Sequence, residues 1–147
     1  MSEIKVINSK KAAQPVGPYV QSTNNNETPR TNPGPSTPLQ SQAIHAGPHI
    51  FVSGQIPADA SGKLTEGSIA DKTTACCEGL KAILEEAGSE IGKCVKVTVF
   101  LTSMDNFAEM NSVYEKYFTH KPARSCVAVK ELPKGVPVEI EAIALSG

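Results

Sequence analysis

One arginine and two glutamates near the end of the chain are of types that could do chemistry together. Arg124 is one of two arginines among 147 residues and opens an apolar run; a guanidinium can bind a carboxylate through two parallel hydrogen bonds. Glu139 and Glu141 lie in the next apolar run, and a carboxylate can move a proton or position water. The set predicts a site for a small organic acid whose reaction needs a base. The alternative is a structural ion pair across a sheet, which is common.

Five further residues are candidates on weaker grounds: Tyr19, Ser53, Gly54, Asn111 and Cys126. The Tyr19 hydroxyl can orient a ligand or water, although a packed turn tyrosine is commoner. Ser53 and Gly54 end a predicted strand, where glycine lets a ligand approach the backbone, or they form an ordinary turn. Asn111 can bind a ligand or cap a helix. Cys126 has no histidine beside it in the sequence, which argues against a thiolate nucleophile.

Composition narrows the class of protein. The net charge of −1 gives no sign of a surface for nucleic acid or anionic membrane. There is no apolar run of transmembrane length and no signal or transit peptide pattern at the start, so we expect a cytoplasmic protein, with a mitochondrial form from another start codon as the alternative. The cysteines lack metal-site spacing and are expected to be reduced, buried thiols: Cys76, Cys77, Cys94 and Cys126.

The pattern of apolar residues predicts one α+β domain over residues 1–147, in the order β-β-β-α-β-α-β-β. Strands are predicted near 5–7, 43–46, 50–53, 94–101, 124–129 and 138–144. A capping box at Ser68 and Asp71 opens the first helix, and Gly88 ends it. Asp105 is the predicted cap of the second helix, which ends before Pro122. Both helices can cover the same face of the sheet.

Strand alternation assigns the predicted faces. Ser125, Val127 and Val129 are expected to face the helices, as are alternate residues of 138–144. The other face then carries Arg124, Cys126 and Ala128, Glu139 and Glu141, and alternate residues of 94–100 starting from Cys94. Such a face is too apolar to lie open and too charged for a core, so it is expected to pack against copies of the same chain. Arg124 and Glu139 would then lie near a subunit interface.

Several segments together resemble the RidA family, also called the YjgF or L-PSP endoribonuclease-like family, and 67–128 is most similar to fungal members. The matching stretches are Gly-Pro-Tyr at 17–19, Phe-Val-Ser-Gly-Gln-Ile-Pro at 51–57, Ala-Ile-Leu-Glu at 82–85, the strand 95–101, Asn-Ser-Val-Tyr at 111–114, Pro-Ala-Arg-Ser-Cys-Val at 122–127, Leu-Pro-Lys-Gly at 132–135 and Glu-Ile-Glu-Ala-Ile-Ala at 139–144.

The resemblance implies a chorismate-mutase-like fold with one mixed sheet, assembled as a homotrimer with three clefts between subunits. It implies hydrolysis of the 2-imino and enamine acids that pyridoxal-phosphate enzymes release, such as 2-iminobutanoate and 2-iminopropanoate, to 2-oxo acids and ammonia, without a metal or organic cofactor. In that scheme Arg124 holds the substrate carboxylate, Glu139 activates water and Tyr19 orients. The backbones of Ser53, Gly54 and Cys126 line the cleft, with Asn111 nearby.

The resemblance is interrupted at one place. Family members run directly from Gly-Pro-Tyr into Ser-Gln-Ala or Val-Gln, whereas here 21 residues rich in Gln, Ser, Thr, Asn, Pro and Gly separate Tyr19 from Ser41. This composition predicts a disordered insertion at about 20–40. A translated, unspliced intron is one hypothesis, because the segment begins with valine and ends with glutamine, whose codons can match splice boundaries; a lineage insertion is the alternative.

Three other functions compete with the deaminase. A non-catalytic regulatory trimer that binds small carboxylates needs Arg124 alone. A ribonuclease or translation inhibitor is less favoured, because no histidine pair or basic, aromatic surface is evident. Chorismate mutase activity would rest on fold analogy.

Overall fold

The computed structural model describes residues 4–15 and 40–147. Tyr19 and all of the predicted insertion except Gln40 lie outside these residues. The elements follow in the predicted order: β1 (Ile4–Ile7), β2 (Ala43–Ala46), β3 (His49–Gln55), α1 (Ile69–Glu86), β4 (Cys94–Leu101), α2 (Phe107–Tyr117), β5 (Ala123–Ala128) and β6 (Val138–Leu145).

The six strands form one mixed sheet in the order β1-β2-β3-β6-β4-β5. Only β4 and β5 run parallel; the other neighbours are antiparallel. The helices pack against each other, and α1 packs on β3 and β6, which confirms the predicted fold class. The core consists of buried apolar side chains, among them Ile50, Leu80, Ile83, Leu84, Val97, Val99, Leu101, Met110, Val138 and Ile140.

The helix ends test the predicted caps. At α1 the capping box is present: the Ser68 hydroxyl accepts from the Asp71 N–H, and the Asp71 carboxylate accepts from the Ser68 N–H. Gly88 follows the helix in a left-handed conformation, φ +75°. The prediction that Asp105 caps α2 is wrong, because a 3₁₀ turn (Met104–Asn106) precedes that helix and Ser103 caps the turn.

Two face assignments are also wrong. On β4, a bulge between Cys94 and Lys96 turns Cys94 into the core, where it is 2% exposed. On β5, Val97 pairs with Arg124 and Val99 with Cys126, so Arg124 and Cys126 lie on the helix side. The alternating sets of β5 differ little in apolar character, so alternation alone could not say which set faces the helices.

The sheet face opposite the helices is mixed in character, as expected. It carries Phe51 and Val127, each 45% exposed. It also carries charged residues: Lys96, whose ammonium donates to the Ser125 hydroxyl at 2.8 Å, and Glu141, which pairs with Thr98. We call this surface the open face. No helix of the described residues is long and apolar enough to cross a membrane.

Candidate functional site

Arg124 lies on the edge strand β5 with its side chain exposed. Its Nη1 donates to Asn111 Oδ1 at 2.7 Å. Its guanidinium carbon lies 4.6 Å from the ring centre of Tyr114 and 5.5 Å from that of Phe107, within the range of cation–π attraction. No carboxylate of the described residues forms an ion pair with Arg124. The ion pair across the sheet is therefore absent there, and the guanidinium keeps donors for another acceptor.

The three residues that contact Arg124 come from one stripe of α2. Phe107, Asn111 and Tyr114 are spaced by four and then three residues, which places them on one face of a helix. Of these three residues, only Asn111 is predicted as a candidate from the sequence; the two aromatic residues are not. The spacing of the three residues is the signal that could have identified the two aromatic ones. It places all three on one face of α2, and this face lies next to Arg124 at the start of β5.

Glu139 occupies the second position of β6 and is half-buried. Its carboxylate lies directly over Gly54: a Cβ added at Gly54 would stand 1.8 Å from Glu139 Oε1. The register of β3 against β6 shifts between Val52 and Gln55, so a bulge brings the Gly54 backbone under the carboxylate. Desolvation, and secondarily the charge of Glu141, raises the pKa of Glu139 above its ordinary value of 4.5. These features suit a proton acceptor.

Ser53 and Gly54 line a cavity of about 40 Å³ together with Glu139 and Pro133, enough for a water molecule. The Ser53 hydroxyl donates to the Ser41 carbonyl at 2.7 Å, and its N–H to the Gln42 carbonyl at 2.9 Å. Both Ser53 donors are therefore used inside the fold. Glu139 and Gly54 therefore border a space that is large enough for a water molecule.

A buried glutamine ties this cavity to the N-terminal segment. Gln42 is 1% exposed; its amide donates to the Ala13 carbonyl at 2.8 Å and to the Ser9 carbonyl at 3.2 Å, and its side-chain oxygen accepts from the Ser9 N–H. The wall that residues 13–15 form beside Glu139 is therefore held by a hydrogen-bonded core side chain.

Cys126 is half-buried and packs against the core. Burial raises the pKa of its thiol, although the nearby Arg124 charge opposes the shift. Burial also raises the pKa of Cys94 to about 11 and that of Cys77 to about 12. These thiols are protonated near neutral pH, so Cys126 is a poor nucleophile. Its backbone stays a candidate lining of the cleft.

The structure does not bring Arg124 and Glu139 together on one face. Arg124 pairs with the buried Val97 on the helix side of the sheet, whereas Glu139 pairs with Phe100 on the open face. The prediction that the two share a face is wrong, because β5 presents the opposite set from the one expected. A single protomer thus carries two separate groups of candidate residues: Arg124 with Asn111, and Glu139 with Ser53 and Gly54.

The chain is a small α+β protein in which two helices cover one mixed sheet, with Arg124 on the helix side and a desolvated Glu139 on the open face. The chain belongs to the RidA (YjgF) family: residues 29–146 match the family model described as Endoribonuclease L-PSP. Protein HMF1 of Saccharomyces cerevisiae is 54% identical over 105 residues, 71% of this chain and 81% of that protein.

Two further relatives cover nearly the whole chain. The crystal structure of yeast Mmf1 superposes with a TM-score of 0.81 at 38% identity, covering 99% of this chain and 100% of Mmf1. A Salmonella typhimurium protein named 2-iminobutanoate/2-iminopropanoate deaminase is 36% identical over 145 residues, 96% of this chain and 97% of that protein. The relatives thus include a protein named as a deaminase. HMF1 is more similar to this chain in sequence than that deaminase is, and its name states no activity.

Proposed function

We propose that the protein hydrolyses 2-imino acids such as 2-iminobutanoate and 2-iminopropanoate to 2-oxo acids and ammonia. The observation that carries this proposal is the exposure of the Arg124 side chain and the set of contacts that it makes. The side chain is exposed, held by α2 and free of any carboxylate partner within the described residues, as a receptor for a substrate carboxylate should be. The named Salmonella relative supports the choice of substrate.

Glu139 supplies the base in this proposal. The iminium carbon is electrophilic, so water adds to it once a carboxylate removes a proton from the water. The raised pKa of Glu139 makes it a stronger base than an ordinary glutamate. The water oxygen bonds to the carbon and one water proton moves to Glu139, which gives a carbinolamine. The nitrogen takes that proton back, the C–N bond breaks, and the remaining hydroxyl proton passes through Glu139 to the released ammonia. Water and iminium ion give the 2-oxo acid and an ammonium ion.

The remaining candidates have supporting roles in this scheme. The backbones of Gly54, Ser53 and Cys126 line the cleft, Asn111 orients Arg124, and Tyr19 orients the substrate from the segment outside the described residues. Holding a carboxylate and a water in place is mainly a proximity effect, which lowers the barrier without a strong acid or metal. The donors of the imino acids would be pyridoxal-phosphate enzymes.

Because Arg124 and Glu139 lie on opposite faces of the sheet, the proposed site needs two chains. We propose a homotrimer in which the open faces pack together and each cleft takes Arg124 with Asn111 from one subunit and Glu139 from its neighbour. Exposed Phe51 and Val127 on the open face give such packing apolar area to bury.

Subunit complementation tests the function and the shared site together. The substrate is generated with threonine dehydratase, and the remaining imine is trapped with semicarbazide. Arg124→Ala and Glu139→Gln should each abolish hydrolysis. When the two variants are unfolded and refolded together in equal amounts, about one site in four receives an intact residue from each chain, so about a quarter of wild-type activity should return.

The outcomes separate the alternatives. If the mixture stays inactive while both variants fold and the wild type is active, the two residues belong to one subunit's site. If the wild type binds a 2-oxo acid through Arg124 without turnover, the protein is a carboxylate-binding regulator. Cleavage of RNA that survives both substitutions would indicate a nuclease, as the name of the family model suggests. The compartment we propose is the cytoplasm, with mitochondria as the alternative.

A further inference from the structure

The guanidinium of Arg124 is held against an aromatic ring whose own position is rigid. Tyr114 is 6% exposed, and its ring stacks on Phe118 with centres 4.4 Å apart and planes 24° from parallel. An arginine on an edge strand otherwise loses considerable rotamer entropy when it binds a ligand. A fixed ring 4.6 Å from the guanidinium carbon reduces that loss, because the cation is attracted to the ring face before a ligand arrives.

The hydroxyl of Tyr114 does not account for its position. It is buried and has no hydrogen-bond partner among residues 4–15 and 40–147. Leaving such a group unpaired costs stability, and phenylalanine would fill the same space without that cost. Burial raises the pKa of Tyr114 to about 12, so the phenol stays protonated near neutral pH. The aromatic face toward Arg124 is what the residue contributes.

Asn111 and Tyr114 constrain Arg124 in complementary ways. The amide oxygen of Asn111 accepts from Nη1, which fixes one end of the guanidinium, while the ring restrains its plane. A guanidinium has five N–H donors, and one is used here. The remaining donors include the parallel pairs that a carboxylate needs for bidentate binding.

We propose that Tyr114 is a positioning residue for ligand binding: its ring, and not its hydroxyl, holds the Arg124 guanidinium in the orientation that binds the ligand carboxylate. The proposal rests on the proposed role of Arg124 as the carboxylate receptor. It assigns Tyr114 no contact with the reacting atoms. Its effect should therefore appear in the affinity for carboxylates and should vanish when Arg124 is absent.

The test uses calorimetry to measure the binding of 2-oxobutanoate to the full chain. Two variants are compared, one with phenylalanine and one with 3,4,5-trifluorophenylalanine in place of Tyr114. The two differ little in shape, but fluorine withdraws electron density from the ring face and so weakens cation–π attraction. Tyr114→Phe should keep the wild-type dissociation constant within about 2-fold and raise the melting temperature, and the trifluoro variant should bind about 2- to 5-fold more weakly than Tyr114→Phe.

A double-mutant cycle provides the control for a purely structural effect. Tyr114→Leu should weaken 2-oxobutanoate binding about 3- to 10-fold in the wild-type background and change the residual binding of Arg124→Ala hardly at all. Tyr117→Phe serves as the matched control, because Tyr117 lies on the same helix and donates to Glu78.

Each outcome decides the proposal. Equal affinities across the phenylalanine and trifluorophenylalanine variants would overturn it and leave the proposed function standing. An equal loss of binding when Tyr114→Leu is introduced into Arg124→Ala would also overturn it, because the effect would not pass through Arg124. If the wild type binds no 2-oxobutanoate and hydrolyses no imine, the proposed function fails and this inference fails with it.

Discussion

Replacing Gly54 by alanine should displace the proposed base without unfolding the protein. The added Cβ would stand 1.8 Å from Glu139 Oε1 and 2.7 Å from Cδ. Ordinary contact begins near 3.4 Å, so the carboxylate oxygen must move by about 1.6 Å. The backbone of Gly54 is not in the left-handed region, so alanine can adopt it. The clash is with the end of a flexible side chain, which can rotate away.

The expected effect is large on catalysis and small on folding. A displacement of about 1 Å can lower a rate about 100-fold when the moved group must act at a defined place. We therefore expect Gly54→Ala to lower kcat/KM for 2-iminobutanoate by about 100-fold, measured by semicarbazide trapping. The binding of 2-oxobutanoate should change much less, since in the proposed cleft the ligand carboxylate is held by Arg124 and not by Glu139.

Gly92→Ala is the matched control. An added Cβ there has its nearest neighbour 3.8 Å away, at Glu90 Oε1, so this variant should keep wild-type activity and a similar melting temperature. Wild-type kcat/KM in a folded Gly54→Ala protein would refute the reasoning. It would mean either that Glu139 does not act from its place over Gly54 or that the reaction does not use Glu139.

Three other variants test the proposed roles of Glu139, Asn111 and Cys126. The raised pKa of Glu139 means that the folded protein binds this proton more tightly than the unfolded chain does, so the group lowers the free energy of unfolding as the pH rises through and above 4.5. By calorimetry, Glu139→Gln should therefore melt a few degrees higher than the wild type at pH 7, with the gain shrinking near pH 4, and it should be inactive. For the wild type, kcat/KM should fall on acidification with a midpoint above 4.5. Asn111→Ala removes the acceptor that holds Arg124 Nη1, so steady-state kinetics should show KM raised about 5-fold with kcat less affected, and an unchanged KM would contradict the positioning role. Cys126→Ser should retain kcat/KM within about 2-fold, because the thiol is protonated and only the backbone is proposed to line the cleft; a loss of 100-fold would point to a nucleophilic thiol.

Most of the fold could be predicted from the sequence alone, because the patterns that indicate helices and strands are local. The capping box at Ser68 and Asp71, the apolar spacing of the two helices and the alternation of the strands each depend on a few neighbouring residues. These local patterns predicted the order of all eight elements. They also singled out Arg124 and Glu139 by residue type.

The placement of the candidate site was decided by tertiary structure. Whether Arg124 faces the helices depends on the parallel register of β5 on β4, and the alternating residues of β5 are too alike for their pattern to reveal it. The bulges at Cys94 and beside Gly54 arise from pairing between strands that are distant in the sequence. The same pairing places the Glu139 carboxylate over Gly54. The sequence therefore determined which residues could act, whereas long-range pairing decided that they occupy opposite faces, since register is a property of two strands and not of either one.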